Sequence, residues 1–259
     1  MDFQTLKLVH DNFIATVTID SPPVNAITPH TVDDLEAAFA ELAKRENLRA
    51  VILASALKKI FIAGADINQF VGWKKKDGIT VTRRGHDVLE KIAHFAKPVI
   101  CAINGVAFGG GLEIALACDI RVIDKKAQVG LPETSLGVVP GYGGTQRLPR
   151  LVGPGMAKKL ILTGETIGAE EAYRIGLAEV IAEPGECLAE AKKIAERIST
   201  QAPLAVSAGK RCVDFAMAES LEDGINFEIQ SVGELADTED KTEGASAFLA
   251  KRPAMFKNK

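Results

Sequence analysis

The amino-acid sequence predicts a mixed α/β fold up to about Pro154 and a helical region after it. Short apolar runs typical of buried strands alternate in the first part with longer segments whose apolar residues recur at helical spacing. Beyond Pro154 the strand signals nearly vanish, whereas the helical periodicity continues. Such alternation favours strands that are covered by helices.

The elements before Pro154 are predicted in chain order from periodicity and stop signals. Phe13–Ile19 alternates apolar and polar residues, as a half-buried strand does. Thr28 followed by Pro29 is typical of a helix start, because a capping side chain precedes a proline in the first helical position. A second amphipathic helix ends before Pro98. Further strands are predicted at Ala50–Ala54, Val99–Ile103 and Ile120–Ile123.

The C-terminal region is predicted to be a set of helices. Apolar residues fall on one helical face between Leu188 and Ile198, and again between Leu221 and Val232. Thr238 is placed to cap the last helix. The apolar faces of these helices suggest contacts between subunits without fixing their number.

Composition narrows the functional classes. The chain has 259 residues, of which 47% are hydrophobic and 25% charged, so a folded globular protein is predicted. A formal net charge of −3 gives no reason to expect a nucleic-acid partner. The four cysteines show neither disulfide nor zinc-ligand spacing. No apolar stretch is long enough to span a membrane and no targeting segment is visible, which predicts a cytoplasmic protein.

A glycine-rich turn is the first candidate for chemistry. A strand runs through Asn104 into Gly109, Gly110 and Gly111, and an apolar helix follows at once. Glycines leave backbone N–H groups unscreened, and a helix N-terminus adds unpaired donors and partial positive charge. The turn could therefore stabilise an oxygen that gains negative charge. Taken alone, it is equally explained as a tight packing turn.

Two glutamates are the next candidates for chemistry, because one follows the glycine-rich turn and the other follows a proline in an apolar segment. Glu113 lies in the first helical turn after the glycines, where a carboxylate can also simply interact with the helix dipole. Glu133 lies in an apolar segment stiffened by Pro132, where burial would raise its pKa. Two carboxylates that share one cavity titrate as a pair, so one can hold a proton while the other accepts one.

Four segments carry a resemblance to a known family. They are FIAGADI (61–67), INGVAFGGGLEIALACDI (103–120), LPETSLGVVPGYGGTQRLPRLVG (131–153) and AFLAKRPAMFK (247–257). Together they resemble the signature blocks and the C-terminal end of the crotonase superfamily, the enoyl-CoA hydratases and isomerases. The likeness extends over essentially the whole chain and is closest to the hydratases.

The resemblance implies a crotonase-like spiral of repeated ββα units in residues 1–195 and a helical trimerisation region in residues 196–259, with homotrimers or homohexamers. It implies an acyl-CoA thioester substrate, with coenzyme A as part of the substrate, and neither a cofactor nor a metal. Glu113 and Glu133 would be the catalytic pair, and the backbone N–H groups of Ala65 and Gly110 the oxyanion hole. Substrate contacts would come from Ala63, Gly64, Asp66, Ile67, Asn68, Gly109, Pro132 and Gly141.

Retention of both glutamates favours reversible hydration of a 2-enoyl-CoA to a 3-hydroxyacyl-CoA over other reactions of the superfamily. Two departures stand out. Asn68 occupies a position where the hydratases usually have a lysine, and Tyr142 replaces a residue that is often small. Two alternatives therefore stay open, namely an enzyme for a dienoyl, cyclic or branched acyl-CoA and an RNA-binding relative of the hydratases.

Overall fold

From the third strand to the eighth, successive strands of the chain alternate between two sheets. The computed structural model describes residues 2–259, and within them ten strands are present. The strands are β1 Leu6–Asp11, β2 Ile14–Ile19, β3 Ala50–Ser55, β4 Ile60–Ile62, β5 Val99–Ile103, β6 Val106–Phe108, β7 Ile120–Asp124, β8 Gln128–Gly130, β9 Thr166–Gly168 and β10 Val180–Ala182.

The larger sheet has the order β1-β2-β3-β5-β7-β10, and the smaller sheet the order β4-β6-β8-β9. Strand pairs are parallel except β1–β2 and β8–β9. The pairs β3–β4, β5–β6 and β7–β8 each contribute one strand to either sheet before the chain enters a helix. This repetition confirms the predicted spiral of ββα units.

Ten α-helices complete the described part of the chain. Thr28 and Thr238 cap helices as predicted, because their hydroxyls accept from the backbone N–H groups of Thr31 and Lys241. The helices are α1 Pro29–Ala43, α2 Lys75–Ala93, α3 Gly110–Leu116, α4 Gly144–Val152, α5 Pro154–Thr163, α6 Ala169–Arg174, α7 Cys187–Ser199, α8 Pro203–Ala216, α9 Leu221–Ala236 and α10 Glu239–Leu249.

The larger sheet is buried on both faces, which explains why its central strands are continuously apolar. Val51 and Leu53 of β3 point into the main core with α1 and α2, whereas Ala50 and Ile52 pack with α7. Side chains of a strand alternate in direction, so a single strand supplies both cores. Truncating a residue such as Ile52 to alanine would cost roughly 2–5 kcal/mol.

Six of the ten strands were not predicted from the sequence, namely β1, β4, β6, β8, β9 and β10. β1 lies at the edge of the larger sheet, where every second residue is at least partly exposed and polar residues interrupt its pattern. The other five have three residues each, which is too short for periodicity to show. The expectation that strands nearly vanish after Pro154 was therefore wrong for β9 and β10.

Helices α8, α9 and α10 extend from the spiral and are attached to it by specific contacts. Lys210 of α8 forms an ion pair with Asp119, with 2.9 Å between Nζ and Oδ2, and its side chain is 8% exposed. The rings of Phe215 and Phe227 stack between α8 and α9. The proposed division between residues 195 and 196 falls within α7, which packs on the larger sheet, and it stays a prediction.

Candidate active site

The glycine turn brings the end of β6 into α3 with no room for side chains. Gly109 has φ +51°, a conformation that favours glycine, and its N–H donates to the carbonyl of Gly130. A Cβ on Gly111 would lie 2.3 Å from the carbonyl oxygen of Ile62. The start of α3 is therefore pressed against the end of β4, and Gly110 N–H lies at the first position of the helix.

The backbone of Ala65 runs beside this turn. Ala65 forms a parallel bridge with Ile27, in which the carbonyl of Gly64 and the N–H of Asp66 bond to Ile27. The N–H of Ala65 thus points to the other side of the segment. Within residues 2–259 neither this N–H nor that of Gly110 has a hydrogen-bond partner. Gly64, with φ +117°, lies against the carbonyl of Phe108, so the two segments are neighbours.

Glu113 is held by backbone donors from a distant loop. Its Oε1 accepts hydrogen bonds from Tyr142 N at 2.8 Å and from Gly144 N at 2.7 Å. A Cβ on Gly144 would lie only 3.0 Å from Oε1, so glycine allows the close approach. Glu113 is 2% exposed, and its Oε2 lies 4.0 Å from the Cβ position of Gly110. One carboxyl oxygen is anchored, and the other is directed to the glycine turn.

Burial controls the protonation of Glu113. Loss of hydration raises its pKa to about 7, and the nearby charge of Glu133 contributes in the same direction. The hydrogen bonds from Gly144 and Tyr142 and the positive charge of Arg147 oppose this rise. The carboxyl group can therefore exchange a proton near neutral pH.

Glu133 approaches the turn from the opposite segment. It belongs to a short 3₁₀ helix, Pro132–Leu136, that starts at Pro132. Its Oε1 lies 2.9 Å from the Cβ position of Gly109, and its buried Oε2 has no hydrogen-bond partner within residues 2–259. Burial raises the pKa of Glu133, as expected for its apolar segment. Glu113 and Glu133 thus flank two adjacent glycines.

The other residues predicted to bind substrate lie around this centre. Asp66 caps a 3₁₀ turn at Ile67–Gln69 by accepting from Asn68 N, and Ile67 is 55% exposed. Ala63 and Gly64 follow β4 directly, and Pro132 and Gly109 adjoin Glu133. Gly141 lies next to Thr82 of α2. Their contacts with a substrate stay predictions.

The amide donors of Tyr142 and Gly144 are functional groups that sequence reasoning did not assign. The glycine-rich segment before α4 belongs to the site, because Gly144 N at the start of the helix donates to Glu113. The role of the Tyr142 N–H could not be predicted from the sequence, because the residue type does not determine the direction in which a backbone amide points.

The described residues show two further features. Among residues 2–259 no group of three His, Cys, Asp or Glu side chains is arranged as metal ligands would be. Within the same residues, none of the helices has the length and apolar character of a membrane-spanning helix.

Comparison with known proteins identifies the family. A family model described as enoyl-CoA hydratase/isomerase matches residues 10–259. The chain belongs to the enoyl-CoA hydratase/isomerase family. This family member is 40% identical to the short-chain-enoyl-CoA hydratase of Clostridium acetobutylicum, over 100% of both chains. It is 38% identical to the crotonyl-CoA hydratase of Syntrophomonas wolfei, again over 100% of both.

Solved structures agree. A crystal structure of an enoyl-CoA hydratase from Bacillus anthracis superposes with a TM-score of 0.95 at 34% identity, covering 99% of this chain and 100% of that one. This enoyl-CoA hydratase/isomerase family member therefore has the crotonase fold that its sequence resemblance implied.

Proposed function

We propose that the protein is an enoyl-CoA hydratase that reversibly adds water to a 2-enoyl-CoA to give a 3-hydroxyacyl-CoA. The observation that carries the proposal is the placement of Glu113 and Glu133 on either side of Gly109 and Gly110, beside two unpaired backbone N–H groups. The family and the relatives named hydratases support the same reaction.

Polarisation of the thioester is the first step of the proposed mechanism. The carbonyl oxygen accepts hydrogen bonds from Ala65 N–H and Gly110 N–H. Addition to the β-carbon moves the π electrons of the double bond towards this oxygen, so an enolate develops there. Fixed donors stabilise that charge more strongly than the ground-state carbonyl, and each is worth about 3 kcal/mol in comparable sites.

Proton transfer is divided between the two carboxyl groups. Oε2 of ionised Glu113 takes a proton from water while the water oxygen bonds to the β-carbon. Glu133 in its protonated form then delivers its proton to the α-carbon, and the enolate electrons form the new C–H bond. The raised pKa of Glu133 supports its role as acid, and the anchored Oε1 of Glu113 leaves Oε2 for the water.

No cofactor is part of this proposal. The two backbone donors supply the polarisation, and coenzyme A enters as part of the substrate. Activity that is lost in a chelator and restored by a metal ion would contradict this part of the mechanism.

The two-carboxylate mechanism predicts that Glu113→Gln and Glu133→Gln each lower kcat for crotonyl-CoA by roughly 10²–10⁴-fold. Glutamine keeps the size of the side chain but can neither accept nor deliver the proton. Loss of the absorbance of the conjugated double bond measures the reaction. The matched control is Glu46→Gln, an exposed position in the α1–β3 connection that should retain activity. Near wild-type turnover in either active-site variant would rule out the mechanism.

Assembly and location belong to the same proposal. We infer a homotrimer or a homohexamer from the apolar faces of the C-terminal helices, which are exposed in the single chain. A cytoplasmic location, proposed from the sequence, fits a soluble acyl-CoA substrate and is tested by fractionation of the producing cell.

A further inference from the structure

The side chain of Tyr142 lies at the centre of the site although the mechanism uses only its backbone. Its N–H donates to Glu113 Oε1, and its carbonyl accepts from Arg147 Nη1 at 3.0 Å. Both backbone groups of Tyr142 are therefore fixed, and the ring cannot retreat with the main chain unless Glu113 loses a hydrogen bond.

The ring is seated on the backbone of α2. A Cβ on Gly85 would lie 2.2 Å from Cε1 and 2.4 Å from Cζ of Tyr142, so the ring occupies the space that any side chain at position 85 would need. On its other edge, Cδ2 of the ring lies 3.8 Å from the Cβ position of Gly110. The aromatic ring thus fills the space between α2 and the glycine turn.

An open cleft of about 630 Å³ runs along the same face of α2. Thr82 and His86 line it, and they flank Gly85 along the helix. Both also adjoin the neighbours of Tyr142, since Thr82 Oγ1 lies 3.5 Å from the Cβ position of Gly141 and His86 Cε1 3.6 Å from that of Gly143. The ring therefore stands where the space beside Gly110 would otherwise continue along α2.

We propose that Tyr142, seated on Gly85, is the residue that limits the acyl chain to short 2-enoyl groups. The inference rests on the proposed hydratase function. Once the thioester oxygen binds at Gly110, the carbons beyond the β-carbon must leave the glycine turn, and the ring blocks the route towards the α2 cleft. A hydrophobic wall discriminates by roughly 10–200-fold for each methylene group that it excludes.

The test compares kcat/KM for crotonyl-CoA with that for a ten-carbon 2-enoyl-CoA. In Tyr142→Ala the ratio of long-chain to crotonyl activity should rise by about tenfold or more. Tyr142→Phe should keep the wild-type ratio, because the ring and not the hydroxyl forms the wall. Tyr173→Ala removes the chain's other tyrosine, which is 53% exposed on α6, and should also keep the ratio.

A second variant approaches the ring from α2. In Gly85→Ala the new methyl group should push the ring towards Gly110 and lower kcat/KM even for crotonyl-CoA. The double variant Gly85→Ala/Tyr142→Ala should recover the chain-length ratio of Tyr142→Ala, because the displaced ring is gone. If Tyr142→Ala does not fold, Gly85→Ala by itself still tests the wall, because it keeps the ring and displaces it.

The outcomes separate the two proposals. A wild-type protein that hydrates no 2-enoyl-CoA contradicts the hydratase function. A wild-type protein that hydrates short and long chains equally well overturns the role of Tyr142 alone. An unchanged ratio of long-chain to crotonyl activity in Tyr142→Ala would also overturn the role of Tyr142. Full crotonyl-CoA activity in Gly85→Ala would overturn it as well.

Discussion

Glu113 shows how a single buried side chain acquires a chemical role. Its pKa is raised from 4.5 to about 7, so the native protein binds this proton more tightly than the unfolded chain does. The associated stabilisation is present at low pH and is lost as the pH rises from about 4.5 to about 7. Ionised Glu113 then costs the native state about 3 kcal/mol relative to an ordinary glutamate. A buried base is thus kept at the expense of stability.

The raised pKa predicts the pH dependence of hydration. Because ionised Glu113 is the proposed base, kcat/KM should rise with pH, with a midpoint near pH 7. This rise is the acid limb of the pH profile. The charge of Arg147 favours the ionised form, so Arg147→Gln should raise this pKa and move the limb to higher pH. The measurement is kcat/KM for crotonyl-CoA between pH 5 and pH 9.

Arg150→Gln is the matched control for this experiment. Arg150 belongs to the same helix, but its guanidinium is exposed and bonds to the carbonyl of Gln146. Its substitution should leave the limb in place. A limb that stays fixed in Arg147→Gln would show that Arg147 does not set the protonation of the base.

The N-terminus of α3 is the element on which the site depends. Gly111 is packed against Ile62 so closely that an added Cβ would meet a backbone oxygen at 2.3 Å, which cannot be relieved by a side-chain rotation. We therefore expect Gly111→Ala to separate α3 from β4, to destabilise the protein by roughly 1–3 kcal/mol and to lower kcat, because Gly110 N–H moves with the helix. Urea unfolding and the crotonyl-CoA assay measure the two effects.

Gly155 also lies near the start of a helix, but unlike Gly111 it is not closely packed. It lies within α5, and nothing lies within 4 Å of its Cβ position. Gly155→Ala should raise stability by roughly 0.5–1 kcal/mol and leave hydration unchanged, because alanine restricts the unfolded chain. Equal responses of the two variants would mean that close packing at Gly111 is not what fixes α3.

Elements differ in how far the sequence predicts them. Helices α7 and α9 and strands β2, β3, β5 and β7 were predicted to within a few residues, because their pattern repeats several times. Of α2 only the end before Pro98 was predicted, and α8 was not predicted. The three-residue strands β4, β6, β8, β9 and β10 are too short to show a pattern, and the edge position of β1 admits polar residues. In the site, residue types indicated Glu113 and Glu133. The bonds from Tyr142 N and Gly144 N to Glu113 span 29 and 31 residues, and only the folded chain reveals them.

At the scale of the molecule, the fold separates two tasks. The spiral buries its larger sheet between two apolar cores, which makes a rigid base for the turns that carry the site. Helices α8 to α10 are attached through contacts such as Lys210 with Asp119 and leave large apolar side chains exposed. The C-terminal region is therefore suited to contacts between subunits.

Four exposed apolar residues form a stripe along α9 that can be tested as a subunit interface. Leu221, Ile225, Ile229 and Val232 are 82%, 49%, 58% and 62% exposed, and their spacing places them on one side of the helix. If this stripe is covered in the proposed trimer or hexamer, Ile229→Glu should bury an unpaired charge and dissociate the assembly. Sedimentation velocity would then show the monomer in place of the larger species.

Gln230→Glu adds the same charge at the next residue, which is also exposed and points about 100° around the helix from Ile229. This variant should keep the assembly of the wild type. If the wild-type protein sediments as a monomer, the apolar stripe on α9 is not a subunit interface. If Ile229→Glu still assembles, the subunit interface lies elsewhere.

Because association stabilises the folded chain by mass action, the monomeric variant should also unfold at lower urea concentration, without dependence on protein concentration.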